Sequence, residues 1–205
     1  MASSDDQAVR ATIVAAADRL YYARGIQNVG MDAVRAEAGS SLKRIYGLFP
    51  SKDLLVAAVL DHRTAMWWSG VDRAAAGAQT PREQLLSVFD FLNSWFRQDD
   101  FRGCAFINSF GELGATSPRV SEKVRAQKES FHSYVRDLVR RAGLADGVAL
   151  QVTLLVEGAQ TVAAITRDRD VVPQARRAAV VLLDAAAAEA GDSRAGQGAV
   201  PADGR

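Results

Sequence analysis

Four cationic side chains that can bind phosphate lie within one short segment, residues 35–52. This segment carries a local charge of +3, although the whole chain of 205 residues carries only +1. Its charged residues are the cations Arg35, Lys43, Arg44 and Lys52 and the anion Glu37. Lysine and arginine bind phosphate, and the guanidinium group also matches the two acceptors on the edge of guanine. The chemistry that this segment favours is therefore contact with a nucleic acid.

The apolar spacing around this segment predicts two short helices joined by a tight turn. The first is expected over about Met31–Ala38, ends at Gly39, and is followed by a second over about Leu42–Leu48 that Ser41 can cap. Helices this short are marginal when isolated. Two of them in succession, after a long first helix, predict a three-helix helix-turn-helix unit.

The second short helix has the features of a recognition helix, which enters the major groove with its N-terminal end first. The residues predicted to contact DNA are Ser41, Leu42, Lys43, Arg44, Tyr46 and Lys52. Lys43 and Arg44 lie in the first turn, where they can reach phosphates or guanine edges. The Tyr46 hydroxyl and Lys52 are placed to contact the DNA backbone. Surface charges outside such a motif are more often merely solvated.

The rest of the chain repeats apolar residues at helical spacing nearly throughout and predicts a fold of about nine helices. The other helices are expected over Asp5–Arg24, Ser51–Ala76, from Pro81 past Phe96, Cys104–Leu113, from Pro118 to Gly143, Asp146–Arg167 and Val172–Ala190. Thr80, Pro81 and Glu83 form a strong start signal for the fifth helix. The predicted fold class is all-α.

This pattern predicts two functional parts and a tail. Residues 1–52 are expected to be the helix-turn-helix DNA-binding domain, and residues 53–190 to be a ligand-binding and dimerisation domain. The segment 191–205 is rich in Gly and Ala, shows no periodicity, and is expected to be disordered.

Aromatic side chains accumulate in the predicted helices four to seven, with a few polar groups among them. Apolar rings with sparse polar groups are typical of a pocket for a flat hydrophobic molecule. Each ring taken alone is more often plain core. The predicted ligand-binding residues are Trp67, Phe91, Trp95, Phe106, Asn108, Phe131 and Glu157, with Asn108 and Glu157 as the polar contacts.

Helices eight and nine are apolar nearly all round, which is typical of helices that are buried on every side. We expect them to form a homodimer interface with the same helices of a second copy. The alternative is that they are central core helices of one chain.

Residues for catalysis or for a metal site are scarce. Glu129 and His132 have the Glu-x-x-His spacing of di-iron bundles, but the other histidine, His62, lacks the glutamate that a second motif requires. We therefore expect no catalytic residue, metal or cofactor. The single cysteine, Cys104, cannot form an internal disulfide; a structural thiol is favoured over a redox sensor.

Neither a signal peptide nor a membrane span is expected. The N-terminal segment has no apolar h-region and contains Asp5 and Asp6. Apolar stretches such as residues 178–188 are shorter than the roughly 20 residues that cross a bilayer. These features predict a cytoplasmic protein without membrane contact.

The first 55 or so residues resemble the TetR family of bacterial transcriptional regulators. The resemblance is carried by Ile13-Val14-Ala15-Ala16-Ala17, Leu20, Gly25, Val34, Ala38-Gly39, Ser41, Ile45-Tyr46, Phe49 and Ser51-Lys52-Asp53-Leu54-Leu55. A weaker resemblance lies in Arg102-Gly103-Cys104-Ala105-Phe106-Ile107-Asn108. The sequence departs from the family pattern at Gly30, where a capping Thr or Ser is usual, at Ser40, and at Lys43-Arg44, where small residues are common.

The resemblance implies a homodimer that binds double-stranded operator DNA and carries a pocket for a small effector in its C-terminal helices, usually as a repressor. The expected function is to bind a pseudo-palindromic operator and to release it when a hydrophobic effector binds. Two other classes stay open on the residues alone. A helical enzyme lacks paired catalytic motifs, and a helical adaptor that binds only protein leaves residues 41–52 unexplained.

Overall fold

The structure is a computed structural model, and it describes residues 4–198. Every regular element in this range is an α-helix, so the predicted all-α class is confirmed. The helices are α1 (Ser4–Arg24), α2 (Met31–Ala38), α3 (Leu42–Leu48), α4 (Lys52–Ala75), α5 (Pro81–Trp95), α6 (Ala105–Leu113), α7 (Pro118–Arg141), α8 (Gly147–Thr166) and α9 (Val171–Gly198).

Helices α3, α4 and α5 each begin at a hydroxyl side chain that caps them. Ser41 accepts a hydrogen bond from the backbone N–H of Arg44 at 3.1 Å, and Ser51 accepts one from that of Leu54 at 3.2 Å. Thr80 and Glu83 form the complete capping box that their spacing predicts at the start of α5. Helix α2 begins after Gly30 with no side-chain cap, as this departure from the family pattern implies.

The turn between α2 and α3 depends on glycine. Gly39 has φ +59°, and its N–H satisfies carbonyl groups of the last turn of α2. In this left-handed region a Cβ is strained, which makes glycine the usual residue at the end of such a helix. The predicted turn at this position is therefore present.

Helix α9 continues to Gly198 rather than ending near Ala190. The alanines between residues 185 and 195 favour helix, and this propensity outweighs the glycines that suggested an end. Residues 199–205 of the tail that was expected to be disordered lie outside the described residues.

Helix α8 is long and apolar enough to cross a membrane by length and composition alone, contrary to the expectation that the apolar stretches are too short. One such helix is weak evidence, because a core helix passes the same test. The described part of α8 buries Val148, Val152 and Val156 within the chain.

The chain divides into two compact units. One comprises residues 1–69 and 100–128 and therefore contains α1, α2, α3 and α6 with the first parts of α4 and α7. Its core includes Ile13, Leu20, Val34, Ile45, Phe49, Leu55, Phe106 and Val120. The other comprises residues 70–99 and 129–205, where α9 packs on α5 and α8. We call the first the helix-turn-helix unit, because it contains the predicted motif.

Candidate nucleic-acid interface

Helix α3 is fixed to the helix-turn-helix unit by its apolar side and by one arginine. Ile45 and Phe49 are buried. The Arg10 guanidinium lies 4.1 Å from the centre of the Phe49 ring and donates from Nη1 to the carbonyl of Leu48 at 3.0 Å. A helix too short to be stable alone is thus held at its C-terminal end by α1.

The opposite side of α3 is exposed. Lys43, in the first turn, is exposed and makes no hydrogen bond or ion pair with a described residue. Tyr46 is 45% exposed, although tyrosine is a large side chain that often packs. Both are therefore free to contact a ligand of the size of a DNA duplex without rearrangement of the core.

Arg44 is one of two predicted cationic DNA contacts that already have protein partners. Its Nη2 donates to Asp6 at 2.6 Å and to Asp5 at 3.3 Å, both in the first turn of α1. Two carboxylates occupy one terminal nitrogen of the guanidinium. A DNA phosphate therefore competes with these two carboxylates for Arg44 Nη2, or binds the other guanidinium nitrogens while the carboxylates hold the side chain in place.

Lys52, predicted to touch the DNA backbone, is also engaged within the protein. Its Nζ donates to the carbonyl of Ile26 at 2.6 Å and lies 5.8 Å from the centre of the Tyr21 ring. Burial lowers the pKa of the Lys52 ammonium, and the nearby Glu112 carboxylate opposes this effect. In this structure Lys52 ties the start of α4 to the connection between α1 and α2.

Glu112 on α6 holds the same connection from another direction. Its two carboxylate oxygens accept hydrogen bonds from the backbone N–H groups of Ile26 at 3.0 Å and Gln27 at 2.8 Å. Gln27 also donates from its side chain to the carbonyl of Glu112 at 2.7 Å. Gly25 has φ +83°, and a Cβ there would lie 3.3 Å from the Glu112 carboxylate. Glu112 is thus a positioning residue. The sequence does not reveal this role, because Glu112 and Ile26 are 86 residues apart.

Tyr22 connects α1 to the segment before α6. Its hydroxyl donates to the carbonyl of Gly103 at 2.7 Å and accepts from the N–H of Arg102 at 2.9 Å. Burial raises the pKa of Tyr22 to about 12. This contact gives a structural role to the Arg102-Gly103 pair, which resembles a segment found in a branch of the family.

A buried ion pair lies beside this tyrosine. Arg63 donates from Nε to Asp18 at 2.5 Å, and its guanidinium lies 4.0 Å from the centre of the Tyr22 ring. Only about a tenth of each charged side chain is exposed. Removal of one partner would leave the other charge buried and unpaired, so this pair fixes α1 against α4.

The predicted ligand-binding residues are divided between the two units. Trp67, Phe106 and Asn108 belong to the helix-turn-helix unit, whereas Phe91, Trp95, Phe131 and Glu157 belong to the other. Within the latter, the rings of Phe91 and Trp95 stack with centres 6.0 Å apart, and Glu157 Oε2 accepts from Gln160 Nε2 at 3.4 Å. Phe131 and Gln160 are fully buried.

The remaining candidate groups have ordinary partners. The buried Cys104 has its Sγ 3.3 Å from Lys128 Nζ, and His132 Nδ1 lies 3.3 Å from the Thr153 hydroxyl. Among residues 4–198, no group of three or more His, Cys, Asp or Glu side chains is arranged to hold a metal ion.

Comparison with known proteins connects this geometry to a family. A model of the bacterial regulatory proteins of the tetR family matches residues 13–59, which contain α2, α3 and the start of α4. The HTH-type transcriptional activator FasR of Mycolicibacterium smegmatis is 30% identical over 136 residues, which cover 64% of this chain and 59% of that protein. The alignment thus spans less than two thirds of that relative.

Two solved structures are similar over almost their whole length. A TetR-family transcriptional regulator from Streptomyces coelicolor has a TM-score of 0.81 and 27% identity, covering 87% of this chain and 96% of that one. A TetR-type regulator from Streptomyces avermitilis has a TM-score of 0.74 and 32% identity, covering 87% and 97% of the two chains. The resemblance seen in the sequence is confirmed: the chain belongs to the TetR family and is a DNA-binding transcriptional regulator rather than an enzyme.

Proposed function

We propose that this regulator binds a pseudo-palindromic operator as a homodimer in the cytoplasm and leaves it when a small hydrophobic effector binds. The observation that carries the proposal is the recognition helix, whose inner side is buried while Lys43 stands exposed and without a protein partner in its first turn. Residues 1–52 supply the DNA contacts, and residues 53–190 supply the effector site and the dimer surface.

The six proposed DNA contacts differ in how directly they are available. Lys43 and Tyr46 are exposed, and Ser41 and Leu42 lie at the end of α3 that enters a groove. Arg44 reaches DNA by exchanging a carboxylate for a phosphate or a guanine edge, since both groups satisfy a guanidinium. Lys52 contributes mainly as a charge near the duplex, because its Nζ already donates to Ile26.

The proposed dimer surface is the exposed apolar side of α8 together with α9. Leu150, Leu154, Val162 and Ile165 are exposed, with Gly158 between them, and they recur every three or four residues along α8. Val181 on α9 is 69% exposed. An apolar stripe at helical spacing suits a second copy with the same stripe, because a two-fold interface places each patch against its equivalent.

The proposed effector contacts in the second unit are Phe91, Trp95, Phe131 and Glu157. The stacked rings of Phe91 and Trp95 offer a flat apolar surface, and the Gln160 Oε1 atom is buried with no hydrogen-bond partner among the described residues. A buried acceptor without a donor favours a ligand that carries an N–H or O–H group. Trp67, Phe106 and Asn108 stay predictions for the same role.

Helix α4 is the proposed link between effector and operator. It begins at Lys52, in the DNA-binding part, and a Cβ at Gly70 on the same helix would lie 2.2 Å from the Phe91 ring. About 27 Å of helix separates residues 52 and 70 at 1.5 Å per residue. An effector that displaces Phe91 shifts this stiff helix. The size of the change in operator affinity is set by how differently the effector binds the DNA-binding and the released conformations of the protein.

The sign of regulation is proposed to be repression by occupancy of the operator. FasR, to which this chain is similar, is named an activator. A reporter assay therefore tests whether this regulator represses or activates transcription. Genomic fragments bound by the purified protein are sequenced, and the enriched site is placed upstream of a reporter gene with and without the regulator. Repression supports the proposal, and a rise in expression contradicts this sign while leaving DNA binding intact.

The effector is tested separately by tryptophan fluorescence against a set of hydrophobic metabolites, followed by operator binding with each hit. Trp95→Phe keeps an aromatic ring and removes one reporter, which localises the signal. Hits that quench Trp95 and release the operator support the proposed contacts. Tight binding near Trp95 without any change in operator affinity contradicts the coupling through α4.

A further inference from the structure

The helix-turn-helix unit contains a cavity of its own, between α1, α4 and α6. Its volume is about 370 Å³, which lies at the lower end of the range of small-molecule sites. Its apolar wall is formed by Ile26, Val56, Val59, Leu60 and Ala105, and its polar lining by Asp18, Tyr21, Tyr22, Arg63, Asn108, Ser109 and Glu112. This cavity is separate from the proposed contacts at Phe91 and Trp95, which belong to the other unit.

Several polar atoms around the cavity are not used by the protein. The ion pair joins Arg63 Nε to Asp18 Oδ1, and the remaining guanidinium nitrogens and the second carboxylate oxygen make no hydrogen bond with a described residue. The Tyr21 hydroxyl is buried and likewise has no partner among residues 4–198, although 95% of this tyrosine is covered. Buried polar groups normally have partners, so an unpaired hydroxyl in a cavity wall indicates a ligand or a bound molecule.

The charges define the class of ligand. Asp18 and Arg63 neutralise each other, and the Glu112 carboxylate already accepts two backbone N–H groups. An ionic ligand would therefore bring a charge into a cavity whose own charged groups are already paired, and no group of opposite charge is left to compensate it. An uncharged head group can accept a hydrogen bond from the remaining guanidinium nitrogens of Arg63 and donate one to the second carboxylate oxygen of Asp18. A carboxamide carries both the acceptor and the donor that this requires. The aliphatic wall suits a small apolar body.

We propose that this cavity is a second effector site, which takes a small uncharged molecule with a carboxamide-like head on an apolar body. The site lies among the contacts that hold α1, α4 and α6 together. Glu112, one of its lining residues, holds the connection that leads from α1 into α2. A bound molecule therefore acts on the reading head directly. The influence on operator binding rests on the proposed function, whereas occupation of the cavity does not.

Occupation of the cavity is tested with three probes of similar size that differ in charge: benzamide, benzoate and benzylammonium. Their binding to the full-length protein is followed by amide proton–nitrogen NMR spectra. We expect benzamide to bind with a dissociation constant of about 1 mM or tighter, as suits so small a ligand, and to shift resonances of α1, α4 and α6. We expect the two ions to bind at least tenfold more weakly. Equal binding of all three probes, or no binding of benzamide, overturns the proposal.

The location is tested with two variants of α6. Ala105→Phe places a ring in the cavity and should abolish benzamide binding, whereas Ile107→Phe changes an exposed residue outside the lining and should leave it unchanged. Tyr21→Phe provides a second test that breaks no hydrogen bond of the fold, and it should weaken binding at least threefold. Unchanged affinity in both Ala105→Phe and Tyr21→Phe places the benzamide elsewhere and contradicts the proposal.

The consequence for DNA is measured with the operator fragment found by sequencing. Saturating benzamide should lower the operator affinity of the wild type at least threefold and have no effect on Ala105→Phe. Binding to the cavity without an effect on the operator overturns the regulatory part. If the wild type does not bind the operator fragment even without a probe, the proposed function itself is contradicted. The two failures are therefore distinguishable.

Discussion

Helix α3 and the exposed side of α8 are both surfaces that the folded chain leaves open, but their chemistry is opposite. On α3 the accessible residues are Lys43, Tyr46 and Arg44, and Arg44 forms ion pairs with two carboxylates through its Nη2 atom. On α8 they are aliphatic, with Leu154 62% and Ile165 77% exposed. A polar surface is stable in water without a partner, whereas a contiguous aliphatic stripe is typical of an interface.

The difference predicts two kinds of binding. Contacts from α3 depend on charge and release counterions from DNA, so they weaken steeply as salt rises. Contacts from α8 depend on the removal of apolar surface from water, so salt has little direct effect on them. In the proposed function, the α8 surface sets how many reading heads meet the operator, and the α3 surface sets how tightly each head binds.

The largest effect is expected from a charge on the apolar surface. Leu154→Asp places a carboxylate in the proposed dimer interface, where it has no partner and is costly to bury. We expect the dimer to dissociate at micromolar concentration and operator affinity to fall at least 100-fold, since one head replaces two. Analytical ultracentrifugation and fluorescence anisotropy measure the two effects. Ile107→Asp, at an exposed apolar residue of α6, serves as the control, and equal behaviour of both variants contradicts this interface.

Removal of the free cation of α3 should have the next largest effect. Lys43→Ala is expected to cost about 1–3 kcal/mol of operator binding if Lys43 reads a base, or to reduce the salt slope by about one if it contacts phosphate. Titrations at several salt concentrations separate these outcomes. Arg136→Ala removes an exposed cation from the other unit; a loss of affinity as large as that of Lys43→Ala would show that only net charge matters.

The acidic pair on α1 allows a gain of affinity. Asp6→Asn removes the closer carboxylate from Arg44, whose Nη2 lies 2.6 Å from it, so Arg44 exchanges partners at lower cost. We expect a two- to tenfold increase in operator affinity that is largest at low salt, in line with the modest energy of exposed ion pairs. Asp32→Asn makes the same charge change at a carboxylate paired with Arg35 instead. An equal gain in this control would assign the effect to net charge.

The smallest effect concerns stability at high pH. Tyr21 and Tyr22 both have a pKa raised by burial to about 12, compared with 10.0 for an exposed tyrosine. The fold keeps these protons while the unfolded chain loses them, so stability is full below pH 10 and falls as pH rises towards 12. Urea unfolding at a series of pH values measures this decrease. Tyr22→Phe should reduce it, and an unchanged profile in that variant contradicts the role of burial at Tyr22.

Helix positions follow from local sequence signals. Ser41, Ser51 and Thr80 cap the helices that their spacing predicts, and the ends of α2 at Met31 and Ala38 agree with expectation. These signals act within one turn of helix, so they can be recognised in a single sequence. The continuation of α9 to Gly198 was not predicted, because glycine weakens a helix without always ending it.

Contacts that define the site lie beyond such local signals. Arg44 and Asp6 are 38 residues apart, and Glu112 and Ile26 are 86 apart. Two of the three predicted cations, Arg44 and Lys52, have protein partners that composition and charge do not reveal. The cavity between α1, α4 and α6 likewise arises from the packing of three helices, and only Asn108 among its lining residues belongs to the predicted ligand set.

The central claim, that α3 is the surface that binds operator DNA, is tested most directly by the double variant Lys43→Ala/Arg44→Ala. Fluorescence anisotropy with an operator fragment selected from genomic DNA compares its affinity with that of the wild type, after circular dichroism has shown equal helix content. The account predicts a loss of at least about 30-fold, since two contacts of about 1–3 kcal/mol each sum to at least about 2 kcal/mol and about 1.4 kcal/mol is tenfold. Unchanged affinity in a folded, dimeric double variant would contradict it.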